Sequence, residues 1–196
     1  YNVGHLSKEN MNRLRFMTIE DFQKKFHLNL SIPTLLITFH PSTDSEVNGN
    51  QELEIFIEAL DELSDYQQLI TLPNSDPGNE IVRTKLLEHV KSNSNCYCYE
   101  SLGPLGYFSA MQHCFAMLGN TSSGMIEASF FPKWVVNVGN RQDGRQRTSN
   151  IIDCPVVKNE IVHNVNNIKS LGPTPTTNKF GDYDASDRII TAIKSI

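Results

Sequence analysis

Between residues 118 and 127 the chain reads LGNTSSGMIE, in which an apolar strand end opens into a small, hydroxyl-rich turn and then a carboxylate-bearing stretch. Such a junction binds anions. Gly119, Asn120, Thr121, Ser122, Ser123 and Gly124 let backbone N–H groups crowd around a ligand, and the Thr121 and Ser122 hydroxyls add donors. The pattern predicts a helix from Ser122 whose unpaired N–H groups and positive dipole end face a phosphate, with Glu127 on the sugar side. The same residues are ordinary N-cap chemistry, so a tight structural turn accounts for this segment equally well when it is taken alone.

Three further polar groups follow predicted strands: His40 after TLLITF, Asn74 after LITLP and Arg141 after WVVNVG. In a parallel sheet those strand ends lie along one edge, so residues distant in sequence converge on one crevice. Each has a plain structural reading: a His-Pro turn, a PNSDPG turn, and a solvated loop in which at most one of Arg141, Arg145 and Arg147 touches a ligand. Jointly they supply what a nucleotide diphosphate needs: a cationic fork, helix-terminus N–H groups and a carboxylate for ribose hydroxyls. The Walker A and GxGxxG patterns are absent, which disfavours a P-loop hydrolase and a nicotinamide enzyme. His113 and Cys114 are adjacent, and neighbours on a helix point to different sides, so they do not form a nucleophile–base pair.

The elements that must position these groups alternate β-branched runs with helical patterns from residue 34 onward, the signature of βαβ units and a mainly parallel sheet. Strands are expected at 34–39, 69–72, 96–99, 116–118 and 134–138, with an edge strand at 153–157 limited by Pro155. Helices are expected at 51–63, 80–91, 106–112, 160–171 and 186–194, the last capped by Asp184 or Ser186. Residues 1–33 hold two weakly helical stretches with an apolar stripe of Phe16, Ile19, Phe22 and Phe26.

The totals bound the remaining choices. A chain of 196 residues with 39% hydrophobic residues can bury a real core, and a net charge of −5 argues against a nucleic-acid or membrane-surface binder. The four cysteines show no CxxC spacing, so neither a zinc site nor a disulfide framework is expected, and reduced thiols fit a cytoplasmic protein. No apolar run approaches the roughly 18 residues of a membrane span. The chain begins at Tyr1, from which a fragment or a trimmed chain is expected.

Six motifs in order carry a family resemblance: TFHP (38–41), PNSDPG (73–78), SLGPLGYF (101–108), GNTSSGMIEA (119–128), NVGNRQDGRQR (137–147) and FGDYDASDRI (180–189). Over residues 30–196 the chain resembles the hydrolysing UDP-N-acetylglucosamine 2-epimerases. The resemblance implies an α/β fold, a Rossmann-like parallel sheet flanked by helices, forming the C-terminal half of a glycosyltransferase-B architecture. It divides the chain into a connector with partial leading helices (1–33), a UDP-binding domain (34–172) and a C-terminal helix (173–196) packing toward an N-terminal domain outside this chain.

By motif position, His40 lies near the diphosphate as the catalytic candidate, Asn74 near the nucleotide, and Leu102 and Gly103 beside the uracil through backbone atoms. Thr121 and Ser122 fall on the phosphates, Glu127 on the ribose and Arg141 at the cleft. The implied reaction eliminates UDP to a glucal-like intermediate and then adds water with inversion at C2, releasing an N-acetylmannosamine-type sugar for sialic-acid-like products. No cofactor or metal is implied; the partners are a UDP-sugar, the absent N-terminal domain and a second copy in a homodimer. Thr121 replaces a common Ser, keeping the hydroxyl and adding a methyl. Three other functions remain at this point: a non-hydrolysing 2-epimerase, a glycosyltransferase of the same architecture, and a nucleotide-sugar-sensing module without chemistry.

Overall fold

Six short runs pair side by side as parallel strands, the central ones buried on both faces and the edge strands only partly covered. The computed structural model describes residues 1–40, 46–73, 79–174, 179–181 and 184–195, with 46–48 described by backbone alone. Its strands are β1 (Thr34–Thr38), β2 (Gln67–Thr71), β3 (Cys96–Tyr99), β4 (Ala116–Gly119), β5 (Trp134–Val138) and β6 (Ile151–Cys154). They form one sheet in the order β3-β2-β1-β4-β5-β6, every pair parallel. Strand order reverses between β1 and β4, and that reversal opens a crevice at the carboxyl edge.

Alternation along the strands divides the core in two. On one face Leu35, Ile37, Ile70, Leu118 and Val136 pack against α3 (Glu46–Glu62), α4 (Asn79–Ser92) and α7 (Lys158–Leu171). Leu53, Phe56, Leu60 and Leu63 recur at helical spacing along this face of α3 and its end, and the Phe56 ring stacks on Phe39 at 4.4 Å between centroids. On the other face Leu36, Leu69, Met117 and Val135 meet shorter helices: α1 (Leu6–Asn12), α2 (Ile19–Phe26), α5 (Gly103–His113) and α6 (Ser122–Met125). A 3₁₀ turn, Glu127–Phe130, follows α6.

Three local expectations are corrected. The helix predicted after Thr121 is a single turn, Ser122–Met125, which breaks at Ile126 and continues as the 3₁₀ turn. Ser-Ser-Gly is a poor helix former, and releasing the helix at Ile126 lets Met125 and Ala128 both reach the core. Strand β6 begins two residues earlier than expected and stops at Cys154, because Pro155 has no N–H for the ladder. Helix α8 (Ala185–Lys194) has Asp184 at its N-cap position, but that side chain makes no capping bond. Glu9 from α1 substitutes for it, accepting from Ser186 N at 2.9 Å and Ser186 Oγ at 2.6 Å.

Residues 1–33 dock on this second face. Phe22 and Leu28 are fully buried, Phe16 packs its ring against Phe131, and the Tyr99 hydroxyl donates to the Phe26 carbonyl. Met17 bridges to α5 twice, its N–H donating to Ser109 Oγ at 2.9 Å and its carbonyl lying 2.9 Å from His113 Nε2. No helix among the described residues is long and apolar enough to cross a membrane.

Candidate functional site

The crevice is set by how closely β4 approaches β1. Gly119 ends β4 at φ +133, and a Cβ on it would sit 2.0 Å from the Thr38 carbonyl oxygen, so only glycine allows this approach. The next residue, Asn120, is buried, and its N–H donates to the same Thr38 oxygen at 3.1 Å. Its carboxamide then pairs with the backbone of His40: Oδ1 accepts from His40 N at 2.8 Å and Nδ2 donates to His40 O at 3.0 Å. Side-chain pairing thus continues the β1–β4 ladder one step beyond the strands.

Above these strand ends lies a cleft of about 510 Å³. His40, Leu102, Gly103, Thr121, Ser122 and Arg141 all line it, so the structure brings together six of the eight expected site residues. Asn74 lies outside the described residues. Glu127 is not among the lining residues; its Oε1 accepts from Ser7 Oγ at 2.6 Å. Arg141 is exposed and donates from one guanidinium nitrogen to Asn120 O at 3.1 Å. Arg147 is committed elsewhere: its Nε reaches both Asp153 oxygens, at 2.8 and 3.1 Å, and another nitrogen donates to the Gln142 and Arg145 carbonyls. Burial opposes ionisation of Asp153, but hydrogen bonds from Arg147 and Asn137 hold its carboxyl below the usual carboxylate range.

The electrostatic source differs from the expected one. A four-residue helix carries too few aligned peptides for a useful dipole, so α6 contributes hydroxyls and turn N–H groups only. Helix α5 is the longer source: its 11 residues begin at Gly103 on the cleft wall, with Pro104 in the first turn and the Gly103 N–H donating to Ser101 Oγ at 3.1 Å. Thr121 meanwhile serves both readings of its segment. Its Oγ1 accepts from Ser123 N at 3.4 Å as a cap, while its residue lines the cleft.

Two contributors were not singled out by sequence reasoning. Tyr107 lines the cleft beside the Thr38 and Ser123 hydroxyls, and burial pushes its phenol up to about 12, so it remains a proton-bearing donor at neutral pH. Its only sequence signal was its place in SLGPLGYF. Asn120 was read merely as one small residue of the turn, since no local pattern reports a bond to a residue 80 positions away. Burial also pushes the thiols of Cys96 and Cys98 up to about 11 and that of Cys114 up to about 12, which leaves them unreactive packing groups. Among the described residues no cluster of three His, Cys, Asp or Glu side chains is arranged to hold a metal ion.

An open parallel sheet with a polar cleft at its switch point defines a doubly wound α/β domain with a candidate ligand site. Residues 1–194 match the sequence profile of the UDP-N-acetylglucosamine 2-epimerase family, and the chain belongs to that family.

A hydrolysing GDP/UDP-N,N'-diacetylbacillosamine 2-epimerase of Campylobacter jejuni is 32% identical over 157 residues, covering 80% of this chain and 41% of the relative. A hydrolysing UDP-N,N'-diacetylbacillosamine 2-epimerase of Legionella pneumophila is 27% identical, covering 100% of this chain and 52% of the relative. Among solved structures, the UDP-N-acetylglucosamine 2-epimerase of Neisseria meningitidis bound to UDP-GlcNAc superposes with a TM-score of 0.78 at 16% identity, over 99% of this chain and 55% of that one. The Staphylococcus aureus MnaA–UDP complex gives 0.76 at 16% identity, over 98% and 52%. These structural matches bear out the expected Rossmann-like fold, and the profile match bears out the family resemblance of the six motifs. The chain spans about half the length of the curated relatives it matches.

Proposed function

We infer that this chain holds the UDP moiety of a UDP-N-acetylhexosamine for a hydrolysing 2-epimerase. The observation that carries this reading is the meeting of His40, Thr121, Ser122 and Arg141 with the first turn of α5 around one cleft. In this reading residues 34–172 are the UDP-binding domain, and residues 173–196 pack toward a second, N-terminal domain. The hydrolysing outcome is supported by the curated relatives named for it.

The chemistry follows from where charge develops. The C1–O bond breaks with its electron pair passing to the β-phosphate, while a base takes the C2 proton and leaves a C1–C2 double bond. Water then supplies the C1 hydroxyl, and a proton returns to C2 on the opposite face. His40, Arg141 and the hydroxyls of Thr121 and Ser122 stabilise the departing phosphate charge. By motif position Leu102 and Gly103 are assigned to the uracil through backbone atoms, Asn74, outside the described residues, to the nucleotide, and Glu127, whose Oε1 accepts from Ser7 Oγ away from the cleft lining, to the ribose. The C2 base belongs to the second domain. Glu100, on the cleft wall, is instead paired bidentately with Arg83 at 2.8 and 2.6 Å.

Calorimetric titration of the 196-residue chain with UDP tests this. Saturable binding, tighter for UDP than for uridine, is expected; a folded sample that gives no binding at millimolar UDP overturns the assigned cleft. For the full-length protein the expected products are free UDP and an N-acetylmannosamine-type sugar. Accumulation of the epimerised UDP-sugar in their place identifies a non-hydrolysing enzyme.

A further inference from the structure

The cleft needs residues from three different strand ends held in one arrangement, and one buried residue beyond β4 joins them: its side chain binds the segment beyond β1 and its backbone carbonyl holds the loop beyond β5. Asn120 binds His40 through both ends of its carboxamide, at 2.8 and 3.0 Å, beyond the end of β1. Its own N–H is fixed on Thr38 O at 3.1 Å, so the side chain is aimed by the strand that carries it. Its carbonyl oxygen accepts from Arg141 at 3.1 Å and from Gln142 Nε2 at 2.7 Å, which ties in the loop beyond β5. Gln142 is as deeply buried as Asn120, and it makes that bond while its Oε1 has no partner among the described residues.

The geometry points to Asn120 as the positioning residue for diphosphate binding, coupling His40 to Arg141 across the β1–β4 switch point. This rests on the UDP reading of the cleft. Asn120 acts on the diphosphate subsite through its neighbours rather than on the ligand: its side chain holds His40 and its backbone carbonyl holds Arg141, so truncating the side chain releases His40 while the Arg141 bond and the uridine subsite at Leu102 and Gly103 remain. An amide suits the task where a carboxylate does not, because it offers both a donor and an acceptor without adding negative charge beside a phosphate.

The test is a double-mutant cycle in the 196-residue chain, using Asn120→Ala, His40→Ala and the pair, with UDP and uridine affinities measured by calorimetry. Asn120→Ala is expected to weaken UDP about tenfold, the scale of lost hydrogen bonds in a partly buried site, with uridine affinity changed less than about twofold. In the His40→Ala background the same change is expected to weaken UDP less than about threefold, since coupled residues do not add. Equal losses for UDP and uridine, or the full tenfold loss in both backgrounds, overturn the assignment. A second measurement on the unmutated chain guards against a variant that fails to fold. At saturation UDP is expected to shift the NMR signals of the Asn120 carboxamide and the His40 amide together, while uridine leaves both in place. Bound UDP with both signals unmoved overturns the positioning role alone, whereas no UDP binding by the unmutated chain overturns the UDP reading itself.

Discussion

The two faces of the sheet bury comparable cores but are built differently. One is covered by α3, α4 and α7, with 17, 14 and 14 residues, and the other by α1, α2, α5 and α6, with 7, 8, 11 and 4. The cleft belongs to the second face: its walls come from the β1 and β2 ends, the first turn of α5 and the α6 turn. Short elements reverse the chain often, and each reversal brings backbone N–H groups or a hydroxyl to the edge. Long helices offer continuous apolar area and stiffness. The difference puts the longest helices of the fold and the residues proposed to bind UDP on opposite faces, and the sharpest test of whether stability and binding divide that way is the substitution expected to be most damaging.

Phe56→Ala removes a fully buried ring stacked on Phe39 and is expected to lower stability by about 3–5 kcal/mol in urea denaturation. The folded fraction should still bind UDP as before; a parallel loss of affinity would break the separation of faces. Gly119→Ala is the contrasting case at the switch point. The new methyl would meet the Thr38 carbonyl at 2.0 Å and would require a left-handed backbone conformation, so a loss of about 1–3 kcal/mol is expected together with loss of UDP binding. Stability falling with UDP affinity intact would show that the β1–β4 approach does not shape the cleft.

The arginines sharpen the comparison within one loop. Arg141→Ala is expected to weaken UDP about tenfold in calorimetry with little change in urea midpoint, as for loss of one charge-assisted phosphate contact. Arg147→Ala should do the reverse, lowering stability by about 1 kcal/mol while UDP affinity stays within about twofold, because its partners are Asp153 and two carbonyls of its own loop. Equal effects on UDP would show that the loop arginines act as an undivided field of charge.

What the sequence made legible follows the same division. Strands β3 and β5 coincide with expectation, and the apolar periodicities of α3, α4 and α7 located those helices to within a few residues or at their buried turns, because a long apolar stripe is a strong signal. Residues at strand ends were also legible, since a parallel topology places them on one edge wherever they fall in sequence. The helix at Ser122 was not, because capping residues announce where a helix begins and carry no information on how far it runs. Contacts across the fold were invisible for a different reason. Ser7 on Glu127, Glu9 on Ser186 and Asn120 on His40 are each a single residue pair, joined by one or two hydrogen bonds between distant segments, with no periodicity to register them.

The smallest expected effect concerns a second concavity, of about 400 Å³, between α3 and α4. It is similar in scale to the cleft, yet its polar groups answer one another: His89 Nδ1 lies 3.0 Å from Asp61 Oδ1, its Nε2 lies 2.9 Å from Gln68 Oε1, and Lys85 pairs with Glu54. Desolvation lowers the His89 pKa below its usual value, outweighing the attraction of Asp61, which would raise it. The unfolded chain therefore binds a proton here before the folded one does. Stability from this group is complete above the ordinary histidine range, around pH 6.5, and is lost as pH falls from there toward the folded value. Melting temperatures at pH 7 and 5.5 should fall more steeply for the parent chain than for His89→Gln, and UDP affinity at pH 7 should be the same in both. Identical slopes would remove the buried-histidine account, while a change in UDP affinity would join this groove to the cleft and undo the separation of the two faces.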